Sequence, residues 1–252
     1  MIRVIMHGCN GRMGHMVSDL IADEADMEIV AGVDRFSEDG KAYPVYEAIA
    51  DVKEEADVIV DFSNAGAIDK LLDDAVVKGL PIVLCSTGLS EEQLQKVEET
   101  SKKIAILKSA NMSVGINLLL KLLKEAADKL VPAGYDVEII EKHHNQKLDA
   151  PSGTAIALAD SINEACDDDF VYKYDRSEVR EKRSKKEIGI SSVRGGTIVG
   201  EHDVLFCGID EVIEFKHTAT SRAVFGKGAI EAAKFLAGKK AGRFEMSDVV
   251  GV

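Results

Sequence analysis

Short apolar runs separated by amphipathic stretches fill the first 110 or so positions. Ile2 to Met6, Ile29 to Asp34, Val58 to Asp61, Pro81 to Cys85 and Ile104 to Leu107 are rich in β-branched residues and bounded by polar or glycine-containing segments, the pattern of buried strands. Helical periodicity occupies most of the gaps. Ser90-Glu91-Glu92-Gln93 is a capping box, in which the serine hydroxyl satisfies exposed N–H groups and the glutamine reaches back. Strands that alternate with helices require crossover connections, so this half is predicted to be an α/β, doubly wound parallel sheet.

The rhythm changes after Val114. A long helical pattern (Ile116, Leu119, Leu120, Leu123, Ala126, Ala127, Leu130) leads into strands joined by loops, among them Ile188 to Val193, Asp203 to Cys207 and Val212 to Lys216. These are predicted to meander through a mixed or antiparallel sheet, with Gly208-Ile209-Asp210-Glu211 as a tight turn. A last helix (Ala229, Ala232, Ala233, Leu236) has no sheet of its own to cover and is expected to return to the first domain. The predicted organisation is therefore residues 1–112 and 223–252 in one domain, and residues 113–222 in a second α+β domain.

The first strand runs into Gly8-Cys9-Asn10-Gly11-Arg12-Met13-Gly14, a G-x-x-G-x-x-G loop that opens a helix. Glycines there let backbone N–H groups approach a pyrophosphate, and the helix start adds a favourable dipole. By itself such a loop also serves as a plain strand-to-helix turn. The second strand, however, ends in Asp34, twenty residues beyond Gly14, where a Rossmann domain carries the acid that binds the adenosine ribose. Asp34 suits NADH, whereas Arg35 and Arg12 suit the 2′-phosphate of NADPH, so use of either cofactor is expected.

The densest chemistry lies in Glu141-Lys142-His143-His144-Asn145-Gln146-Lys147-Leu148-Asp149-Ala150-Pro151-Ser152-Gly153-Thr154-Ala155. Val137, Ile139 and Ile140 mark a strand just before it, so the histidines emerge at a strand end. Pro151-Ser152-Gly153-Thr154 then caps a helix whose N–H groups and dipole attract a carboxylate. A cation at Lys147 facing an anion-binding helix end points to a small dicarboxylate ligand.

Composition narrows the partners. A net charge of −13 repels nucleic-acid phosphates, and the chain has no tryptophan for base stacking, so no nucleic-acid partner is expected. The mixed run from Lys173 to Glu187, with seven basic and four acidic residues, reads as a solvated or mobile loop. No apolar stretch nears the roughly 20 residues of a membrane span, and no signal peptide opens the chain, so a cytoplasmic protein without membrane contact is expected. Cys9, Cys85, Cys166 and Cys207 are scattered and read as reduced thiols. The six histidines follow no metal-binding spacing, so no metal is expected; His7, His15, His202 and His217 read as structural or exposed.

The run from His143 to Ala155 resembles the signature His-His-x-x-Lys-x-Asp-Ala-Pro-Ser-Gly-Thr-Ala of the dihydrodipicolinate reductases, matching every defining position. The resemblance implies NAD(P)H-dependent reduction of 4-hydroxy-tetrahydrodipicolinate in lysine and diaminopimelate synthesis, by a homotetramer assembled through its second domain. It implies His143 as the acid/base, His144 as a carboxylate partner, Lys147 in both binding and proton donation, and Ser152, Gly153 and Thr154 as carboxylate donors. Cys85-Ser86-Thr87-Gly88 and Ser109-Ala110-Asn111-Met112 resemble the family's loops beside the nicotinamide, though the first departs from Gly-Thr-Thr-Gly and Met112 stands where an aromatic is common. Arg222 reaches the substrate or forms a salt bridge between domains; the residues alone do not decide. Two other readings remain: another two-domain dehydrogenase of the aspartate pathway, since the cofactor half is shared by many folds, and a dinucleotide sensor without turnover. The His-His-x-x-Lys run argues against the first, and NAD(P)H oxidation with the imine substrate separates the second.

Overall fold

The computed structural model describes residues 1–36, 40–167 and 169–251. They divide into two compact units, Met1–Ser113 with Ala223–Gly251, and Val114–Arg222.

The first unit begins with β1 (Ile2–His7), α1 (Arg12–Ala22), β2 (Met27–Val33), β3 (Val45–Tyr46) and β4 (Val58–Asp61). It continues with α2 (Ile68–Lys78), β5 (Ile82–Leu84), α3 (Glu91–Ser101) and β6 (Ala105–Leu107). Both faces of the strands are apolar because both are covered. Val4 and Met6 of β1 join one core and Ile5 the other. The predicted capping box opens α3, with Ser90 Oγ accepting from Gln93 N at 3.2 Å and Gln93 Oε1 from Ser90 N at 3.1 Å.

The second unit comprises α4 (Val114–Leu130), β7 (Asp136–His143), α5 (Gly153–Glu164), β8 (Val171–Tyr174), β9 (Glu187–Arg194), β10 (Gly200–Cys207) and β11 (Val212–Ala219). Its sheet has the order β11-β10-β7-β9-β8. The predicted meander is corrected here. β9 and β10 are not neighbours but flank β7, which pairs parallel with β9 and antiparallel with β10. The turn at Gly208 closes β10 onto β11, with Gly208 N donating to Glu211 O at 2.8 Å. Helices α4 and α5 supply Leu119, Leu123, Leu158 and Ile162 to a core against Val137, Ile139, Val204 and Phe206. The charged run after Lys173 is not simply solvated: Arg183 donates to Glu138 Oε1 at 2.9 Å and to Val137 O at 2.7 Å, pinning the segment to β7.

The chain then returns to the first unit through α6 (Ala223–Leu236), β12 (Gly242–Phe244) and α7 (Met246–Val250). The small residues Ala229, Ala232 and Ala233 let α6 lie close on the sheet, beside Val17 and Ile21 of α1. The complete parallel sheet runs β12-β6-β5-β4-β1-β2-β3. Its order reverses between β1 and β4, and ligands of doubly wound sheets bind at such a switch point. The short strands β3, β8 and β12 have no fully buried position, so no apolar run marks them in the sequence, unlike the equally short but wholly buried β4, β5 and β6.

Candidate active site

In the first unit, a cleft of about 490 Å³ opens at the switch point, lined among others by His7, Gly8, Asn10, Gly11, Asp34 and Arg35. Gly8 adopts φ +79°, and a Cβ on it would stand 2.8 Å from the Phe62 carbonyl at the end of β4. A Cβ on Gly14 would overlap the Gly8 carbonyl oxygen. Both glycines are therefore required for β1 to turn this tightly into α1. Gly11 is the N-cap of α1 and brings no capping side chain, leaving the helix's first N–H groups to an outside acceptor.

Asp34 is aimed back at this loop. One carboxylate oxygen accepts from Asn10 N at 2.9 Å and the other from Arg35 N at 2.8 Å, which leaves lone pairs on both for a ribose hydroxyl. Arg35 is exposed, as is Arg12 at the start of α1. The Cys9 side chain points elsewhere: it is fully buried, so only its backbone is available to a ligand. Met13 is partly exposed.

Of the other two loops, Ser86 is buried with its hydroxyl 3.4 Å from Ser63 Oγ, while Cys85 is partly buried and Thr87 exposed. Ser109 Oγ accepts from Met246 N at 2.6 Å, Asn111 Oδ1 accepts from Ser113 N at 2.8 Å, and Met112 is buried in the core; Ala110 alone of the four is exposed. Much of what these side chains do is hold the loops.

His7, read from the sequence as packing or exposed, bonds through Nδ1 to Asp61 Oδ1 at 2.7 Å. Burial alone would raise the Asp61 carboxyl, but His7 and the hydroxyls of Ser63 and Ser86 overcome it and hold the carboxyl below the usual range.

In the second unit the buried face of β7 changes character along its length. Val137 and Ile139 pack in the core, and the same face then presents Glu141 and His143. Glu141 is wholly buried and accepts four hydrogen bonds. They come from His143 Nδ1 at 2.6 Å, Arg194 Nη1 at 2.8 Å, Arg194 Nη2 at 2.6 Å and Ser152 N at 3.0 Å. Burial opposes ionisation of Glu141, yet Arg194, His143 and Ser192 outweigh it and pull the carboxyl down to about 2. His143 is itself pushed below the ordinary histidine value by burial, against the raising effect of Glu141. Burial thus favours the neutral imidazole.

The helix start completes the cluster. Ser152 caps α5, its Oγ accepting from Ala155 N at 3.1 Å and standing 3.1 Å from His202 Nε2. Gly153 and Thr154 form the first turn, where the helix offers its N–H groups no acceptor of its own. The rings of His143 and His202 meet edge to face at 5.2 Å. Lys147 Nζ pairs with Asp149 Oδ2 at 2.9 Å, and His144 is partly exposed in the same loop.

Two family models cover almost the whole chain: dihydrodipicolinate reductase, N-terminus, over residues 2–112, and dihydrodipicolinate reductase, C-terminus, over residues 115–250. The chain belongs to the dihydrodipicolinate reductase family. A 4-hydroxy-tetrahydrodipicolinate reductase of Caldanaerobacter subterraneus subsp. tengcongensis is 54% identical, over 99% of this chain and 98% of the relative. Another from Clostridium novyi is 48% identical over the same shares. Among solved structures, a dipicolinate-bound dihydrodipicolinate reductase from Paenisporosarcina sp. TG-14 superposes with a TM-score of 0.79 at 26% identity, covering 97% of both chains. A DAP dehydrogenase of C. glutamicum, at 13% identity and a TM-score of 0.57 over 99% of this chain and 95% of its own, shares the fold alone.

Within this cluster, sequence reasoning assigned Glu141 no role although it heads the run, read His202 as structural or exposed, and did not point to Arg194 at all. Strand alternation carried a signal for the first, since a carboxylate two positions before His143 must share its face. Nothing local points to Arg194 or His202, which arrive from neighbouring strands. Among the described residues, no group of His, Cys, Asp or Glu is arranged to hold a metal ion, and no helix is long and apolar enough to cross a membrane.

His202 also makes the fold acid-sensitive. It is almost fully buried, and burial followed by the proximity of His143 lowers it to about 4. The unfolded chain binds a proton near pH 6.5 that the folded chain refuses until about pH 4. Stability that is present above pH 6.5 is therefore lost as the pH falls to 4, by about 3 kcal/mol from this group. Chemical denaturation at stepped pH should show that decline and a shallower one in His202→Gln; equal slopes would refute the assignment.

Proposed function

We propose that this chain catalyses the NADH- or NADPH-dependent reduction of 4-hydroxy-tetrahydrodipicolinate to tetrahydrodipicolinate, with loss of water, in lysine and diaminopimelate biosynthesis. The observation that carries this reading is the union, in one cluster, of a buried imidazole at His143, bonded by Glu141, with the capped start of α5. The first supplies proton transfer and the second a carboxylate site. Relatives that are 48–54% identical and bear the reductase name support it.

Either dinucleotide fits the first unit. The glycine-lined turn and uncapped start of α1 suit a pyrophosphate, Asp34 a ribose, and Arg35 with Arg12 a 2′-phosphate. Backbone groups of Gly8, Cys9, Asn10, Gly11, Arg12 and Met13 would hold the phosphates, and the loops Cys85–Thr87 and Ser109–Met112 would flank the nicotinamide. Bound there, the reduced cofactor supplies the hydride that a substrate ring carbon takes up.

The protein manages the protons. His143 Nε2 takes a proton from the neighbouring ring carbon as the hydroxyl leaves, and returns it to that carbon after the hydride has been taken up. Lys147 donates the proton with which the hydroxyl departs as water. His144 and Lys147 bind the dicarboxylate, and Ser152, Gly153 and Thr154 hold a carboxylate at the helix start. For Lys147→Ala, KM should rise and kcat fall, each by about tenfold or more, the scale of a lost hydrogen bond to a charged group; unchanged kinetics would remove Lys147 from the site.

The working form is a cytoplasmic homotetramer assembled through the second unit. In support, α4 and α5 both pack on one face of its sheet. The opposite face exposes Val193 and Val212 beside an ion-pair set in which Lys142 and Lys216 share Asp203.

The deciding experiment supplies substrate in place from pyruvate and aspartate semialdehyde through the preceding synthase, and follows NADH and NADPH oxidation separately. Synthase-dependent oxidation by either cofactor is expected. Cofactor binding without oxidation would favour the sensor reading and defeat this one.

A further inference from the structure

Of the charged groups near His143 among the described residues, Glu141 is the one that bonds its ring. The others are Arg194 from β9, His202 from β10, and Lys147 from the loop after β7, itself tied to Asp149. We propose that the buried Glu141–Arg194 pair is the positioning device of His143, fixing Nδ1 as a bonded N–H so that Nε2 alone exchanges protons with substrate. The proposal rests on the reading of His143 as the acid/base.

Three observations carry it. First, an ionised carboxylate only accepts, so the 2.6 Å contact compels Nδ1 to be the protonated nitrogen in both charge states of the ring. Arg194 keeps Glu141 ionised by holding both its oxygens, and Glu141 therefore cannot itself take the ring proton. Second, the same carboxylate accepts from Ser152 N at 3.0 Å. One rigid group thereby fixes the spacing between the proton-exchanging imidazole and the helix start that receives a carboxylate. Arg194 extends the frame by donating to Asp149 O at 2.6 Å, and Gly195 N holds His143 O at 2.9 Å. Third, β10 passes the far side of the ring at Gly200, where a Cβ would lie 3.1 Å from Nε2. A side chain at this position would crowd the working nitrogen, and glycine leaves it clear.

An ion pair that merely closed the end of the sheet would leave tautomer and pH profile untouched, and this separates the two roles. Glu141→Gln is compared with Glu141→Gln/Arg194→Met, which leaves no lone buried charge and guards against misfolding, as thermal unfolding will report. In the folded variant kcat should fall by about 10²-fold or more, toward the roughly 10⁴ seen where a histidine loses its orienting acid in a serine protease. NADH affinity should hardly move, KM should rise by less than kcat falls, and the acidic limb of the rate profile should shift to lower pH because the carboxylate no longer favours the imidazolium. In ¹⁵N spectra His143 should lose its fixed Nδ1–H form. Glu141→Asp, which keeps the charge but draws it back from the ring, should recover the limb but not the full rate.

A folded variant with kcat within tenfold of the parent, an unmoved acidic limb, or a loss confined to KM would overturn the proposal. If His143→Gln is slow while Glu141→Gln is normal, positioning fails and the acid/base reading stands. If His143→Gln is itself normal, the acid/base reading fails first.

Discussion

His143→Gln is expected to lower kcat by about 10²–10⁴-fold, the usual worth of a positioned acid or base, and to leave cofactor binding unchanged. The magnitude follows from what surrounds the ring. Burial holds His143 below the ordinary histidine value, so at neutral pH it is ready to accept a proton, while Glu141 limits how far the value falls. Glutamine fills similar space and can still bond Glu141, but it cannot take up a proton. The loss should therefore appear in kcat and persist at saturating substrate. Steady-state oxidation of NADH with synthase-supplied substrate measures it, and titration of cofactor fluorescence checks that the first unit is intact. A near-parental rate would exclude His143 as the group that moves the proton.

Gly14→Ala should weaken NADH and NADPH binding by about tenfold or more and destabilise the first unit by about 1–3 kcal/mol, the typical cost of forcing an extra carbon into a packed site. Its Cβ would overlap the Gly8 carbonyl oxygen and stand 2.8 Å from Cys9 Cα, and neither obstacle is a flexible side chain. To make room, the loop must open, moving the same N–H groups that would face a pyrophosphate. Gly11 is the internal comparison. A Cβ there lies 3.3 Å from the Gly8 oxygen, so Gly11→Ala should be the milder change although both glycines belong to one motif. Fluorescence titration with each dinucleotide, beside thermal unfolding, ranks the two. Equal affinities for Gly14→Ala and the parent would mean that this loop does not carry the phosphates.

The parallel sheet was legible because its central strands are covered on both faces: β4, β5 and β6 bury every position and β1 and β2 a continuous run of three, so apolar runs stand out from the helical periodicity between them. The glycine loop and Asp34 were legible for a related reason: backbone geometry demands particular residue types at fixed spacing. The second unit was harder to read. Its strands are covered on one face only, and strand order depends on pairing between distant segments. The expected neighbours β9 and β10 instead enclose β7, whose backbone N–H and C=O groups must be bonded on both sides.

The candidate site divides along the same line. His143, His144, Lys147 and the Ser152–Thr154 turn lie within twelve consecutive positions, and chain connectivity alone keeps them together. Glu141 was within reach of the strand alternation, but the pattern could not say that its charge would be used, because a buried carboxylate is tolerable only with partners. The cationic partner comes from far along the chain, Arg194 of β9, while His202 of β10 reaches Ser152 Oγ at the helix start. The Cys9 thiol lies in the core, as a packing cysteine does, and leaves the loop only its backbone to offer a ligand. Residue types and spacing determined which fold would form and where the chemistry would gather. Which nitrogen of His143 is bonded, and which charges surround it, was decided only when the sheet brought distant side chains within hydrogen-bonding distance, because proton affinity depends on three-dimensional neighbours and burial.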